Sequence, residues 1–240
     1  MRSAKVLSLL LASFGALSLA ADGALSSELS ENGCFALDGG GYRLVDKDML
    51  GVKGKDGAYR YYIPEEEHPP FATLLYPTNP GKQRENVLEL DRQEDAEAVV
   101  DTCAGRKADV VDFTKRYRAS GNAVDIEVAY ETPPGDLRLE YALALPPALY
   151  QSARYVMLTA KGRSEGTVGA GLPGGGFKSL VVDLKAGRIT FQPAAGDRCQ
   201  WLLLPAAAGS QDKAYYLVAR PTGPKGTLRL KITFGKAARQ

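Results

Sequence analysis

The sequence predicts an all-β protein, an antiparallel β-sandwich of jelly-roll type with one short α-helix. Short apolar runs alternate with polar residues and are separated by Gly, Pro, Asp and Asn, which is strand punctuation. In the second half these runs recur at regular spacing, as in sandwiches rather than alternating β and α units. The chain has 240 residues, enough to bury a core without heavy cross-linking.

The start of the chain predicts export. Arg2 and Lys5 precede an apolar run over residues 6 to 20, and Ser18 and Ala20 have the small-x-small arrangement of a cleavage site. Asp22 ends the run too early for a spanning helix, and no later stretch is long and apolar enough to be one. We expect a signal peptide over 1–20, a secreted or periplasmic protein, and no membrane span.

The rest of the chain is predicted to form one domain. Residues 21–33 are polar and are expected to form a flexible arm, and residues 34–240 are expected to form a single β-sandwich domain. A split near residues 118–122 into two small β domains is the alternative.

The charge balance indicates no nucleic-acid partner, and no nucleotide partner is expected either, because the glycine cluster lacks the helix that a nucleotide site needs. Without Arg2 and Lys5, the 30 Lys and Arg would be reduced to the number of Asp and Glu, which is 28. Nucleic-acid binders usually carry a clustered basic face, whereas the short basic runs KRYR (115–118) and KGRS (161–164) are typical of a solvated strand or turn.

Three cysteines in an exported chain predict one disulfide and one remaining thiol. We favour a bridge between Cys34 and Cys103, although three pairings are possible with Cys199. Their spacing matches no metal site.

Two neighbouring runs show the clearest strand pattern. NAVDIEVAYE (122–131) and LRLEYALAL (137–145) alternate apolar and other residues, which gives each one buried face. TPPGD between them has turn chemistry, so we expect a hairpin. Further strands are predicted at 42–46, 58–63, 71–76, 85–91, 153–161, 177–184, 187–192, 198–204, 213–220 and 226–234.

One helix is predicted over about residues 92–104. Asp91 and Glu94 form a capping box, and Gly105 stands where a helix commonly ends. Helical spacing relates Ala96, Val99, Val100 and Cys103.

A glycine cluster, VGAGLPGGGF (168–177), matches the letters of a dinucleotide-binding fingerprint. That fingerprint needs a helix to follow, whose amides meet the phosphates, but Pro173 and the strand run at Phe177 follow here. We therefore interpret the cluster as a mobile loop and a candidate lid. Its glycines are Gly169, Gly171, Gly174, Gly175 and Gly176.

AVDIE (123–127) resembles the catalytic strand motif Glu-x-Asp-x-Glu of laminarinase-like retaining glycosidases. The resemblance covers five residues and places Asp125 and Glu127 at the Asp and the acid/base Glu. Ala123 replaces the nucleophilic Glu, so the retaining activity is expected to be absent. The alternative is that Asp125 and Glu127 form the solvent face of a strand, with charge pairs to Arg138 and Glu140 of its hairpin partner.

The single histidine, His68, lies between three glutamates and two prolines in YIPEEEHPPF (62–71). One histidine excludes a multi-histidine metal centre, and the prolines favour an exposed position. No metal or other cofactor is expected. Calcium at Glu65, Glu66 and Glu67 is possible, but no EF-hand spacing indicates it.

The aromatic residues suggest a carbohydrate-binding face. In AYRYYI (58–63), Arg60 and Tyr62 share one strand face, and the chain has 12 tyrosines. Aromatic rings beside charged groups bind sugars by stacking and hydrogen bonding. The alternative is that most tyrosines border the core, where we also expect Trp201.

Three functions follow, with binding preferred. The first is an exported, non-catalytic protein that binds a polysaccharide, a cell-surface glycan or another surface ligand. Its candidate ligand-binding residues are Arg60, Tyr62, Asp125, Glu127 and Arg138. The second is a polysaccharide lyase that acts on a uronic-acid polymer by β-elimination. Its candidate catalytic residues are Tyr59, Tyr62, His68, Arg43 and Arg60. The third is a structural envelope or matrix protein.

Overall fold

A computed structural model describes most of the second half of the chain in full. The described residues are 85–95, 98–135, 139–145, 152–169, 176–184, 187–205 and 215–235. Six further strands are described at 26–29, 35–38, 42–45, 49–53, 59–60 and 74–75, by their backbone except at Leu74.

Two nine-stranded sheets contain all of the described strands. Sheet I has the order β1-β2-β3-β4-β11-β17-β16, with β5 paired to β4 and β6 paired to β11. Its strands are β1 (Ser26–Leu29), β2 (Phe35–Asp38), β3 (Tyr42–Val45), β4 (Met49–Lys53), β5 (Tyr59–Arg60), β6 (Leu74–Leu75), β11 (Glu140–Leu145), β16 (Cys199–Pro205) and β17 (Tyr215–Pro221). Its described pairs are antiparallel, except that β11 and β4 meet in parallel at Ala144 and Met49.

Sheet II is antiparallel throughout its described pairs. Its order is β13-β12-β14-β15-β18-β10-β9-β8-β7. Its strands are β7 (Glu85–Glu94), β8 (Val99–Lys107), β9 (Val111–Ser120), β10 (Ala123–Glu131), β12 (Arg154–Thr159), β13 (Gly162–Thr167), β14 (Phe177–Leu184), β15 (Gly187–Pro193) and β18 (Lys225–Gly235).

The core lies between the two sheets, so the fold is the predicted β-sandwich. One cluster of buried side chains combines Tyr141, Trp201 and Leu217 of sheet I with Ile126, Phe191 and Ile232 of sheet II. The rings of Tyr141 and Trp201 meet edge to face, with centroids 6.2 Å apart, a favoured aromatic arrangement. The prediction that Trp201 belongs to the core is confirmed.

Alternation of buried and solvated residues confirms several predicted strands. Along β10, Val124, Ile126, Val128 and Tyr130 are buried and the residues between them are partly exposed. The run predicted at 177–184 has the same bounds as β14. Because successive side chains in a strand point to opposite faces, the partly exposed residues of β10 lie on the outer face of sheet II, which points away from sheet I.

The predicted helix over residues 92–104 is wrong, because this segment forms the hairpin of β7 and β8. The two strands pair in register from Glu94 and Val99 outward. Oδ1 of Asp95 accepts a hydrogen bond from the Ala98 amide at 2.8 Å. A carboxylate of the segment predicted as a helix therefore stabilises the turn between two strands. The β-branched Val99, Val100 and Thr102 favour a strand, and pairing with β9 supplies the tertiary contacts that outweigh the helical spacing.

The predicted hairpin of 122–131 with 137–145 is also wrong. β10 pairs with β9 and β18 in sheet II, whereas β11 pairs with β17, β4 and β6 in sheet I. Each strand has the expected buried face, but β10 and β11 belong to different sheets, so the chain crosses between the sheets after β10. Here the Thr132 amide donates to the Pro224 carbonyl at 2.7 Å.

β9 and β10 form a hairpin whose turn lies at residues 121 and 122, inside the alternative domain boundary. The number of domains stays a prediction. Among the described residues, none lies in a helix that is long and apolar enough to cross a membrane.

Candidate functional site

The outer face of β9, β10 and β18 carries a lattice of charged side chains, which we call the charged face. Across the strands, Glu127 lies opposite Arg116 on β9 and Arg229 on β18. Two residues earlier on β10, Asp125 lies opposite Arg118 and Lys231. Neighbouring strands are about 4.8 Å apart, so each carboxylate position is flanked by cations on both sides.

Arg229 is fixed between two carboxylates. Its Nε donates to Glu127 at 3.0 Å, and its Nη1 donates to Asp197 at 2.9 Å. Asp197 also accepts the Arg229 amide at 2.6 Å, and its side chain is only 3% exposed. The side-chain bond to Glu127 is the largest cause that raises the pKa of the Arg229 guanidinium above its usual value, and Asp197 raises this pKa further. The Glu127 carboxylate is therefore directed towards β18.

Four other charges of the face are less engaged. Asp125, Arg116, Arg118 and Lys231 form no ion pair with any residue that the structure describes. Both arginines and Lys231 are exposed. These side chains can therefore offer hydrogen-bond donors and acceptors to a ligand without breaking an existing salt bridge.

A second charged group lies inside the sandwich, on the inner faces of β8 and β9. Asp101, Lys107 and Lys115 are fully buried. Lys115 lies opposite Cys103, and its Nζ lies 5.3 Å from the centre of the Phe113 ring, within cation–π range. All three charged residues have interaction partners, as buried charges require. Full burial gives a ligand no access to them.

Tyr130 and Cys199 lie near Asp197 at one end of β10. The Tyr130 hydroxyl donates to the Gly223 carbonyl at 3.1 Å, and burial, followed by the nearby Cys199 and Asp197, raises the pKa of the phenol. Burial, with Asp197 as a further cause, raises the pKa of the Cys199 thiol to about 11. A thiol with this pKa is a weak nucleophile near neutral pH.

The sequence-predicted binding residues fall in different sheets. Asp125 and Glu127 lie on the charged face, as expected for the solvent face of a strand. Arg60 lies in β5 of sheet I, whereas the charged face points away from that sheet. Tyr62 and Arg138 lie outside the described residues.

The candidate lyase residues are only partly placed. Arg43 lies on β3, and Tyr59 and Arg60 form β5. Both strands pair with β4. His68 and Glu65–Glu67 lie outside the described residues. Within the described part of the chain, no group of three His, Cys, Asp or Glu side chains is arranged to hold a metal ion.

The glycine loop connects two strands on either side of β12. β13 and β14 both run antiparallel to β12 and are therefore parallel to each other. A Cβ at Gly176 would meet Gln200 Cγ at 2.9 Å, so the loop ends close to sheet I. Gly171, Gly174 and Gly175 lie outside the described residues, and the role as a lid stays a prediction.

Four of the six tyrosines whose side chains are described fit the core interpretation better than the carbohydrate-binding one, whereas Tyr215 and Tyr216 on sheet I are half-buried. Tyr117, Tyr130, Tyr141 and Tyr155 are buried. The described part of the charged face thus has no aromatic ring for sugar stacking. Sequence reasoning missed its cations, because they come from β9 and from β18, more than 100 positions further along the chain. The alternation of KRYR could have indicated the β9 pair.

Comparison with known proteins identifies no family. No protein-family model matches the chain, and no curated protein matches it significantly. Among solved structures, a heparan sulfate lyase HepC mutant from Pedobacter heparinus matches over 86% of this chain, with 8% sequence identity and a TM-score of 0.48. The chain spans about a third of the length of that protein, 34%.

Proposed function

We propose that this protein is an exported, non-catalytic β-sandwich that binds a glycan through the charged face of sheet II. The observation that carries the proposal is the cross-strand lattice of Asp125 and Glu127 between cations on β9 and β18. Carboxylates accept and guanidinium groups donate hydrogen bonds, and sugar hydroxyls need both.

Rigid strands support this role because they hold the side chains at regular spacing. β10 is paired on both sides over its whole length, so its outer side chains need little ordering when a ligand binds. Asp125 is partly exposed and forms no ion pair with a described residue. Its carboxylate is therefore the acceptor that we expect to meet a sugar hydroxyl.

A glycan array followed by titration calorimetry tests the proposal. The change Asp125→Ala should weaken binding at least about tenfold, because a charge-assisted hydrogen bond contributes about 1.5–3 kcal/mol and about 1.4 kcal/mol is tenfold in affinity. Glu165→Ala is the matched control: it removes an exposed carboxylate on β13, five strands away and roughly 24 Å from β10. No glycan binding by the native protein, or equal losses in both variants, would contradict the proposal.

The residues predicted in the first half of the chain need their own variants. If Arg60 and Tyr62 also contact the ligand, Arg60→Ala and Tyr62→Ala should weaken binding, and unchanged binding would remove them from the site. The lyase alternative stays a prediction. It requires ultraviolet absorbance from an unsaturated product when the protein is mixed with alginate, pectate or glycosaminoglycans, whereas a non-catalytic binder yields none.

A further inference from the structure

Arg116 and Arg118 form an exposed pair of cations on the charged face. They lie on the same side of β9 with the buried Tyr117 between them. Residues two apart on a strand are separated by about 7 Å. The two guanidinium groups can therefore meet successive groups of one extended ligand.

Arg116 forms no ion pair with the residues that the structure describes, because its acidic neighbour is engaged elsewhere. Its cross-strand neighbours are Glu127 on β10 and the uncharged Thr102 on β8. Glu127 bonds to Arg229 at 3.0 Å, and Asp197 holds Arg229 from the other side. The Asp197–Arg229–Glu127 bridge thus directs the nearest carboxylate away from Arg116.

Arg118 is in a similar position. Its neighbours are Asp125 on β10 and the apolar Val100 on β8. Asp125 also lies opposite Lys231, so one carboxylate stands between two cations and pairs with neither within salt-bridge distance. The centre of the charged face therefore has more cationic than acidic groups.

From this imbalance we infer that the ligand is an anionic polysaccharide, whose sulfate or uronate groups bind Arg116 and Arg118. This inference rests on the proposed function and specifies its ligand class. A guanidinium group can donate two parallel hydrogen bonds to two oxygens of one carboxylate or sulfate group, whereas a lysine ammonium group lacks this geometry. The two arginines would contact neighbouring anionic groups, and Asp125, which lies opposite Arg118, would contact a hydroxyl beside the group bound there.

Dextran and dextran sulfate of equal chain length test the inference, because they differ only in the sulfate groups. Oligogalacturonate serves as the carboxylate probe. Titration of the native full-length protein should show binding of at least one anionic probe and at least about tenfold weaker binding of dextran. Affinity should fall as salt is raised, because exposed charges are screened.

Arginine variants test the assignment of residues. Arg116→Gln and Arg118→Gln should each weaken binding of the anionic oligosaccharide about tenfold, the effect of about 1.4 kcal/mol. Arg116→Lys should restore part of it. The matched control is Arg154→Gln, which removes an exposed arginine from β12 of the same sheet, five strands and roughly 24 Å from β9. It should change affinity less than twofold.

The outcomes separate the inference from the proposed function. Dextran binding as tightly as dextran sulfate and oligogalacturonate would overturn the anionic ligand and leave glycan binding intact. Equal losses in Arg116→Gln and Arg154→Gln would overturn the site. Absence of binding to any carbohydrate would overturn both proposals. Urea unfolding of every variant checks that lost binding does not reflect lost folding.

Discussion

Asp197 binds Arg229 twice, through the Arg229 backbone amide at 2.6 Å and through Nη1 of its guanidinium at 2.9 Å. Asp197 precedes β16 of sheet I, whereas Arg229 lies on β18 of sheet II. Asp197 also follows β15 of sheet II, so the pair fixes the connection between β15 and β16 to β18 and sets the direction in which the guanidinium points. From there Arg229 reaches Glu127 on β10.

The change Asp197→Ala should destabilise the fold. It removes a carboxylate that is 3% exposed and leaves two donors of Arg229 without this acceptor. We expect a loss of about 1–3 kcal/mol in the free energy of unfolding, measured in urea. Asp112→Ala is the control. The Asp112 side chain, which pairs with Arg106, is 62% exposed, and exposed ion pairs contribute about 1 kcal/mol or less. Equal effects would contradict the bridging role.

Stability should fall between about pH 9 and pH 11, partly because of Cys199. Its thiol pKa is raised from 9.0 to about 11 in the folded protein. The unfolded chain therefore loses this proton first, so the stabilising contribution is complete below pH 9 and is lost as the pH rises to about 11. Urea unfolding across this range should show a smaller decline for Cys199→Ala than for the native protein. Identical pH profiles would contradict a raised pKa of the Cys199 thiol in the folded protein.

Replacing Gly226 should disturb Tyr130. A Cβ at Gly226 would lie 2.9 Å from the Tyr130 hydroxyl, which is held by its bond to the Gly223 carbonyl. Overpacking of this kind costs about 1–3 kcal/mol, so Gly226→Ala should lower the unfolding midpoint. In Gly223→Ala the new Cβ meets its nearest atom at 3.9 Å, and we expect a smaller effect. A reversed order of the two variants would argue against this packing.

Asp95 should stabilise the turn between β7 and β8. Its Oδ1 accepts the Ala98 amide at 2.8 Å, and its own amide donates to the Ala98 carbonyl at 3.0 Å. Asp95→Ala should cost about 0.5–1.5 kcal/mol, whereas Asp95→Asn keeps an acceptor and should cost less. Chemical denaturation measures both, and an unchanged midpoint for Asp95→Ala would contradict the described turn.

Sequence reasoning worked where inward positions are apolar and failed where they are polar. The sequences of β10 and β14 predict strands because buried residues alternate along the whole of β10 and from Leu180 onward in β14. In β8 and β9 the buried positions include Asp101, Lys107 and Lys115. These charged residues interrupt the apolar–polar alternation by which a strand is recognised in the sequence. The spacing of apolar residues over 92–104 then favoured a helix that does not form.

The sequence by itself determined the all-β class, several strands, and the outward position of Asp125 and Glu127, because the alternation of a strand is a local property. Only the tertiary structure decided which strands pair and which cations flank those carboxylates. Glu127 and Arg229 are 102 positions apart, and the next strand along the chain, Glu140–Leu145, joined the other sheet. Strand partners depend on how the whole chain closes and buries its apolar faces, which no local pattern encodes.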